Sequence, residues 1–292
     1  MAINSKGRLE ITDLDFDSVK ANFKTFLSQQ KEFTDYNFEG SGMSVLMDLL
    51  AYNTHYLAFH ANMLANEMFI DTALTRDSAV SHAKSLGYLP TSTKSPYAIV
   101  TITVYDVPIS QLSVVMAAGT IFTTSINGTS YQFVTISDHT ATSDTGIFVF
   151  SDVSIYEGTR IDYTYTVNTS NLEQRFVIPS NSADTSTLVV TVQASASDVT
   201  SETYTLNTDY ALLKSTSLNY FLQEIEDGQY EVYFGDGITG KKPIDGNIVT
   251  LKYVVTNGSL ADGASVFTAA SNIGGYTNIT TLATGSASGG GD

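Results

Sequence analysis

Gly235-Asp236-Gly237-Ile238-Thr239-Gly240-Lys241-Lys242 satisfies G-x-G-x-x-G and is one residue from a P-loop, with Lys242 where Ser or Thr would hold magnesium. Such a loop cradles phosphate only when it opens a helix whose first amides point at the anion. Here Pro243, Asp245 and Gly246 lead straight into the strand pattern IVTLKYVV, and Asp236 puts an anion where phosphate would sit. Gly235, Asp236, Gly237 and Gly240 therefore read as a tight structural turn between strands. His55, His60, His82 and His139 are the only neutral-nitrogen metal ligands, and with no Cys the chain offers no thiolate. His55 and His60 fall about 140° apart on a helical wheel and cannot share a metal on one face. No G-x-S-x-G elbow occurs. The carboxylate pairs Glu224/Glu226 and Glu10/Asp13 read as solvated surface, and Glu226-Asp227-Gly228 lacks the spacing of an EF-hand. Sequons at Asn127, Asn168, Asn257 and Asn278 read as Asn-rich turns. The reading is of a chain that is no enzyme, with no catalytic residue, cofactor, metal or small-molecule substrate.

The elements that hold these residues follow from composition and periodicity. The chain has 292 residues, 42% of them hydrophobic, and a net charge of −16. That length favours two domains with cores of their own, and the charge repels nucleic acid and anionic membranes. No secretory h-region opens the chain, and polar residues from Asp48 to Glu67 interrupt the apolar stretch Met43 to Ile70 too often for lipid. Lack of Cys fits a reducing compartment. Composition changes near Pro90 to Pro96: residues 1–95 hold four of the 21 glycines, and the acidic excess lies mostly after them.

Before that change the apolar period is helical. Phe16, Val19, Phe23, Phe26 and Leu27 make one stripe, with Asp15 as N-cap. From Ser41 to Ile70, Val45, Leu49, Tyr52, Tyr56, Phe59 and Met63 follow alternating three- and four-residue steps, and Leu46, Leu50, Leu57 and Leu64 make a second stripe beside them. A third helix is expected from Thr75 to Leu86, stopped by Gly87 and Pro90. Apolar surface this wide is covered either by a small intrachain bundle packed on the rest of the protein or by helices of other chains.

After Pro96 the period is two. YAIVTITVY, TIFTT, YQFVTI, GIFVF, TRIDYTYTV, TLVVTVQA, YFLQEI, YEVYF and IVTLKYVV alternate with Gly, Asn, Asp and Ser turns, as antiparallel strands do. The expected fold is α+β: a helical bundle region at 1–95, β regions at 96–180 and 181–284 forming one or two sandwich-like domains, and a flexible Gly/Ser linker at 285–292.

The stretch from Phe38 to Ala98, FEGSGMSVLMDLLAYNTHYLAFHANMLANEMFIDTALTRDSAVSHAKSLGYLPTSTKSPYA, resembles the N-terminal region of baseplate wedge subunits of contractile-tailed bacteriophages, within the baseplate-J-like family. YTVNTSNLEQRFVIPSNSADTSTLVVTV and YEVYFGDGITGKKPIDGNIVTLKYVVTNG resemble the same family's β region. The resemblance implies a virion structural protein, assembled in the host cytoplasm and located in the tail baseplate. It implies pairing with a second copy and with a larger wedge protein through a shared helical bundle, and contact with other wedge and sheath-initiating proteins. The sequence stops at its Gly/Ser stretch, where the family continues into a C-terminal half. The stripe Val45, Leu49, Tyr52, Tyr56, Phe59 and Met63 is then the expected bundle seam. A competing expectation, a carbohydrate- or host-surface-binding β protein, rests on the Tyr- and Thr-rich strands and acidic turns. An enzyme using the Gly235 loop would instead be stabilised by nucleotide.

Overall fold

The computed structural model describes residues 2–3, 9–10, 15–32, 36–37, 40–172, 174–208 and 213–291. Asp13 and Phe38 lie outside them. The chain forms two compact units, Met1–Tyr88 and Leu89–Asp292.

Among the described residues the first unit holds three helices and a short antiparallel pair, β1 (Ala2–Ile3) and β2 (Leu9–Glu10). Helix α1 (Phe16–Ser28) starts where Asp15 accepts the Ser18 amide, as the capping pattern predicts. Helix α2 (Gly42–Glu67) starts at Ser41, whose hydroxyl accepts the Ser44 amide at 3.0 Å. It stops at Glu67 rather than running to Ile70. There the Thr72 hydroxyl donates to the Asn66 carbonyl, and the Thr72 and Ala73 amides turn back to Phe69. At ~1.5 Å per residue it is about 39 Å long. Helix α3 (Arg76–Ser85) is capped by Thr75 and followed by Gly87 at φ 75°.

The second unit holds two larger sheets, each with its own hydrophobic core. The first contains β3 (Tyr97–Val104), β5 (Ile121–Ile126), β6 (Thr129–Thr135), β8 (Phe148–Glu157), β16 (Thr268–Ala269) and β17 (Ile279–Ala283). Its order is β16-β5-β6-β8-β3-β17, antiparallel throughout. Alternation along β3 buries Ala98, Val100, Ile102 and Val104 against Phe122, Phe133 and Phe148. The sheet curls until its terminal strands meet, and the Thr281 hydroxyl donates to the Phe267 carbonyl beside β16. β4 (Ser113–Met116) and β7 (His139–Thr142) pair separately.

The second sheet contains β9 (Thr159–Thr166), β10 (Phe176–Ile178), β11 (Ala183–Gln193), β12 (Ser201–Leu206), β13 (Asn219–Glu224), β14 (Tyr230–Phe234) and β15 (Ile248–Val255), in the order β10-β14-β13-β12-β11-β15-β9. Ile178, Val190, Val232, Val249 and Leu251 fill its core. The expectation of uniformly antiparallel strands is corrected at one place: β12 and β13 run parallel, Thr205 opposite Asn219 and Leu206 opposite Tyr220.

The chain passes from one sheet to the other at Gly158, between β8 and β9. Its φ is 124°, and a Cβ there would lie 2.2 Å from the Val255 carbonyl oxygen, so only glycine fits. Beside it the buried Glu157 carboxylate accepts from the Thr256 hydroxyl at 2.6 Å, the Asn257 amide N–H at 3.0 Å and Asn257 Nδ2 at 2.7 Å. Three donors satisfy the desolvated charge.

A divide at Ser180 does not describe these sheets. β9 belongs with the strands after it, and β16 and β17 return to the strands before it, because β17 pairs with β3 across the sequence, Ile279 opposite Val104. Nor are residues 285–291 a free linker. Ser288 bridges Tyr97, Gly291 bridges Lys94, and Ala287 is buried.

Candidate assembly surface

Helix α2 has three longitudinal faces. Ser44, Met47, Ala51, Ala58 and Ala65 are buried, and their spacing keeps them on one side. Small side chains there permit close approach, and α1 lies against α2. The large apolar side chains point elsewhere. Val45, Leu49, Tyr52, Tyr56, Phe59 and Met63 are all exposed, Leu49 by 63% and Phe59 by 58%, while Ala51 is fully buried. Leu46, Leu50, Leu57 and Leu64 are also exposed. At ~100° per residue the aromatic stripe lies about 130° from the alanine face, and the leucine stripe about 115° beyond it.

Periodicity made both stripes legible. It did not show that the helical unit would spend neither of them on itself. The signal for its own contact was also in the sequence: Ala51, Ala58 and Ala65 recur at intervals of seven.

Charge on α2 is sparse, and what there is has partners within the helical unit. Asp48 and Glu67 are the only acidic residues of α2, which has no Lys or Arg. Asp48 pairs with Lys20 of α1 at 2.6 Å. The Glu67 carboxylate accepts from the Leu74 amide at 3.0 Å and the Thr75 hydroxyl at 2.8 Å, which ties it to the start of α3. Hydrogen bonding by the Ser78 hydroxyl, then by Thr75, holds Glu67 down at about 2. Aromatic order on the open face is local: Tyr52 and Tyr56 stack at 6.2 Å, and His60 meets Tyr56 edge-on at 4.5 Å. Contiguous exposed apolar surface of this kind makes α2 the candidate interaction surface of the chain.

The other sequence candidates are placed as follows. Gly235 to Gly240 occupies the connection between β14 and β15. Asp236 Oδ1 accepts the Ile238 amide at 2.9 Å, the Thr239 amide at 2.8 Å and the Thr239 hydroxyl. The Thr239 amide, then that of Ile238, holds the Asp236 carboxyl below its ordinary range. A phosphate would have to displace this carboxylate from its amides. Gly237 and Gly240 have positive φ; Gly235 is required for a different reason, since its Cβ would lie 2.4 Å from the Thr239 carbonyl oxygen. Lys241 is engaged by Glu202 at 2.7 Å.

His82 Nε2 contacts the Glu67 carbonyl at 2.9 Å, and His139 contacts the Ser137 hydroxyl. Among the described residues no three His, Asp or Glu side chains gather as a metal cluster, and no helix is long and apolar enough to cross a membrane. Glu224 corrects its reading as solvated surface: it is buried on β13 opposite Tyr230, whose hydroxyl donates to it at 3.4 Å. Glu226 is exposed. Tyr204, Tyr220, Tyr230 and Tyr253, which could have made a sugar platform, are core residues.

Residues 15–88 match the family model of the helical domain of gp6-like baseplate wedge proteins. The chain is 31% identical over 287 residues to baseplate wedge protein gp6 of Enterobacteria phage T4, an alignment that covers 91% of this chain and 41% of that protein. The chain thus spans about two fifths of the length of this relative.

Proposed function

We propose, on the premise that residues 15–88 carry the helical domain of the gp6-like baseplate wedge family, that this chain is a structural component of a contractile phage tail baseplate, acting in the virion by association and without a catalytic step. Its partners are a second copy of itself, a larger wedge protein sharing a helical bundle, and neighbouring wedge and sheath-initiating proteins. The observation that carries this reading is the pair of exposed apolar faces on α2, which a bundle of several chains would cover. Burial of each large apolar side chain contributes roughly 1.5–3 kcal/mol, so a few such residues suffice for association.

Val45, Leu49, Tyr52, Tyr56, Phe59 and Met63 form the seam toward one neighbour, and the leucine stripe meets another. Size-exclusion light scattering of the full chain, alone and with the larger wedge protein, tests this. Leu49→Asp with Phe59→Asp should abolish the complex while circular dichroism of the strands is unchanged, because an unpaired carboxylate is costly in a dry seam. Leu50→Asp with Leu57→Asp should remove the partner of the second face. A full-sized complex from both double variants would refute the reading.

A further inference from the structure

We propose that Asn127-Gly128 is a spontaneous deamidation site of the folded protein, and that Glu157 withholds the same reaction from Asn257-Gly258. These are the two Asn-Gly sequences of the chain. In the reaction the Gly main-chain nitrogen attacks the Asn Cγ, a C–N bond forms, the amide proton passes to water and ammonia leaves. Water then opens the five-membered imide at either carbonyl, giving aspartate or isoaspartate. Nothing is oxidised or reduced: one water enters and one ammonia departs.

Asn127 and Gly128 form the exposed two-residue turn between β5 and β6, at φ 49° and 83°. Among the described residues, neither the Asn127 side-chain amide nor the Gly128 N–H has a hydrogen-bond partner. A Cβ on Gly128 would meet nothing within 4 Å, so the imide ring has room.

Asn257-Gly258 is held in every respect that matters to the attack. Asn257 Nδ2 donates to Glu157 Oε1 at 2.7 Å, and the Asn257 N–H to Glu157 Oε2 at 3.0 Å. The attacking nitrogen itself, Gly258 N, donates to Thr256 Oγ1 at 3.2 Å. Gly258 is buried, and Gly290 packs so close that a Cβ there would lie 2.9 Å from the Gly258 carbonyl oxygen. Ring closure would break the Asn257 Nδ2–Glu157 and Gly258 N–Thr256 hydrogen bonds and build an oxyanion beside the Glu157 carboxylate, which opposes it. At Asn127 the product adds a negative charge, and isoaspartate lengthens the backbone inside a two-residue turn, which misaligns Ile126 and Thr129.

The test is to hold the full chain at mildly alkaline pH, native and in urea, and to map peptides by a method that separates asparagine, aspartate and isoaspartate. In urea both sequences should convert at similar rates. In native buffer Asn127 should convert while Asn257 lags by roughly tenfold or more, the factor that about one hydrogen bond represents. Glu157→Gln should raise native conversion at Asn257 and leave Asn127 unchanged. Should that variant not fold, Thr256→Val frees the Gly258 N–H, removes the Thr256 hydroxyl from Glu157 and should act in the same direction. The proposal is overturned if native Asn257 keeps pace with Asn127, if native Asn127 stays intact while the urea sample converts, or if the folded variants leave Asn257 as slow as before.

Discussion

Lys20 Nζ lies 2.6 Å from Asp48 Oδ1, joining α1 to α2. With Glu67 tied to the start of α3, both acidic side chains of α2 are engaged within the helical unit. The open apolar faces therefore carry no unpaired carboxylate, and association there would not bury an uncompensated charge, the step that makes buried ions costly.

The ion pair itself is half exposed, so its worth is small. Lys20→Met and Asp48→Asn should each lower the stability of the helical unit by about 1 kcal/mol or less. A double-mutant cycle by thermal denaturation measures the coupling, which should shrink as salt is added.

Glu67 gives the α2–α3 corner a pH dependence of defined sign. Its folded value, about 2, lies below the ordinary 4.5. Its contribution is therefore fully present above the ordinary value and is lost as pH falls through the folded one. Amide exchange at Leu74 and Thr75 should accelerate across that window, and Glu67→Gln should flatten the dependence.

Gly158→Ala should destabilise the β unit by about 2–4 kcal/mol, since the new Cβ combines an unfavourable φ with a collision against main chain. Urea denaturation of the full chain measures this. A loss within error would show that the crossing from β8 to β9 can shift.

Asp236→Ala removes the acceptor that gathers the Ile238 and Thr239 amides, so the melting temperature should fall. ATP or NAD at millimolar concentration should leave the melting temperature of the unaltered chain flat. A nucleotide-dependent rise would restore the phosphate-loop reading.

Removing residues 285–292 should lower the melting temperature of the β unit, because Ser288 and Gly291 bridge to Tyr97 and Lys94. Loss of the buried Ala287 adds to this. A truncated chain melting with the full one would return the stretch to the status of a linker.

Local signals carried the helical unit. Asp15, Ser41 and Thr75 mark its helix starts by side-chain chemistry that acts within a few residues. Long apolar strands such as Tyr97–Val104 and Ile248–Val255 were equally legible. What did not show was pairing at a distance. Ile279 finds Val104, and β12 runs parallel to β13, for reasons of global packing that a period of two cannot encode. Short strands such as β4, β7 and β10 are too brief to establish a period. Glu224 looks like a surface residue in the sequence because its partner, Tyr230, is identified only by the fold. For the candidate surface, spacing gave the membership of both stripes on α2, whereas their exposure depended on the alanine face satisfying the unit's own packing.

The bridges Tyr97–Ser288 and Lys94–Gly291 set two distant stretches of chain antiparallel, side by side at one spot. A pull applied between residues 94 and 291 would peel these contacts apart one after another, as a zipper opens. The interior of both sheets would lie off that route, so mechanical strain delivered there would spare the fold until the last of the bridges had given way.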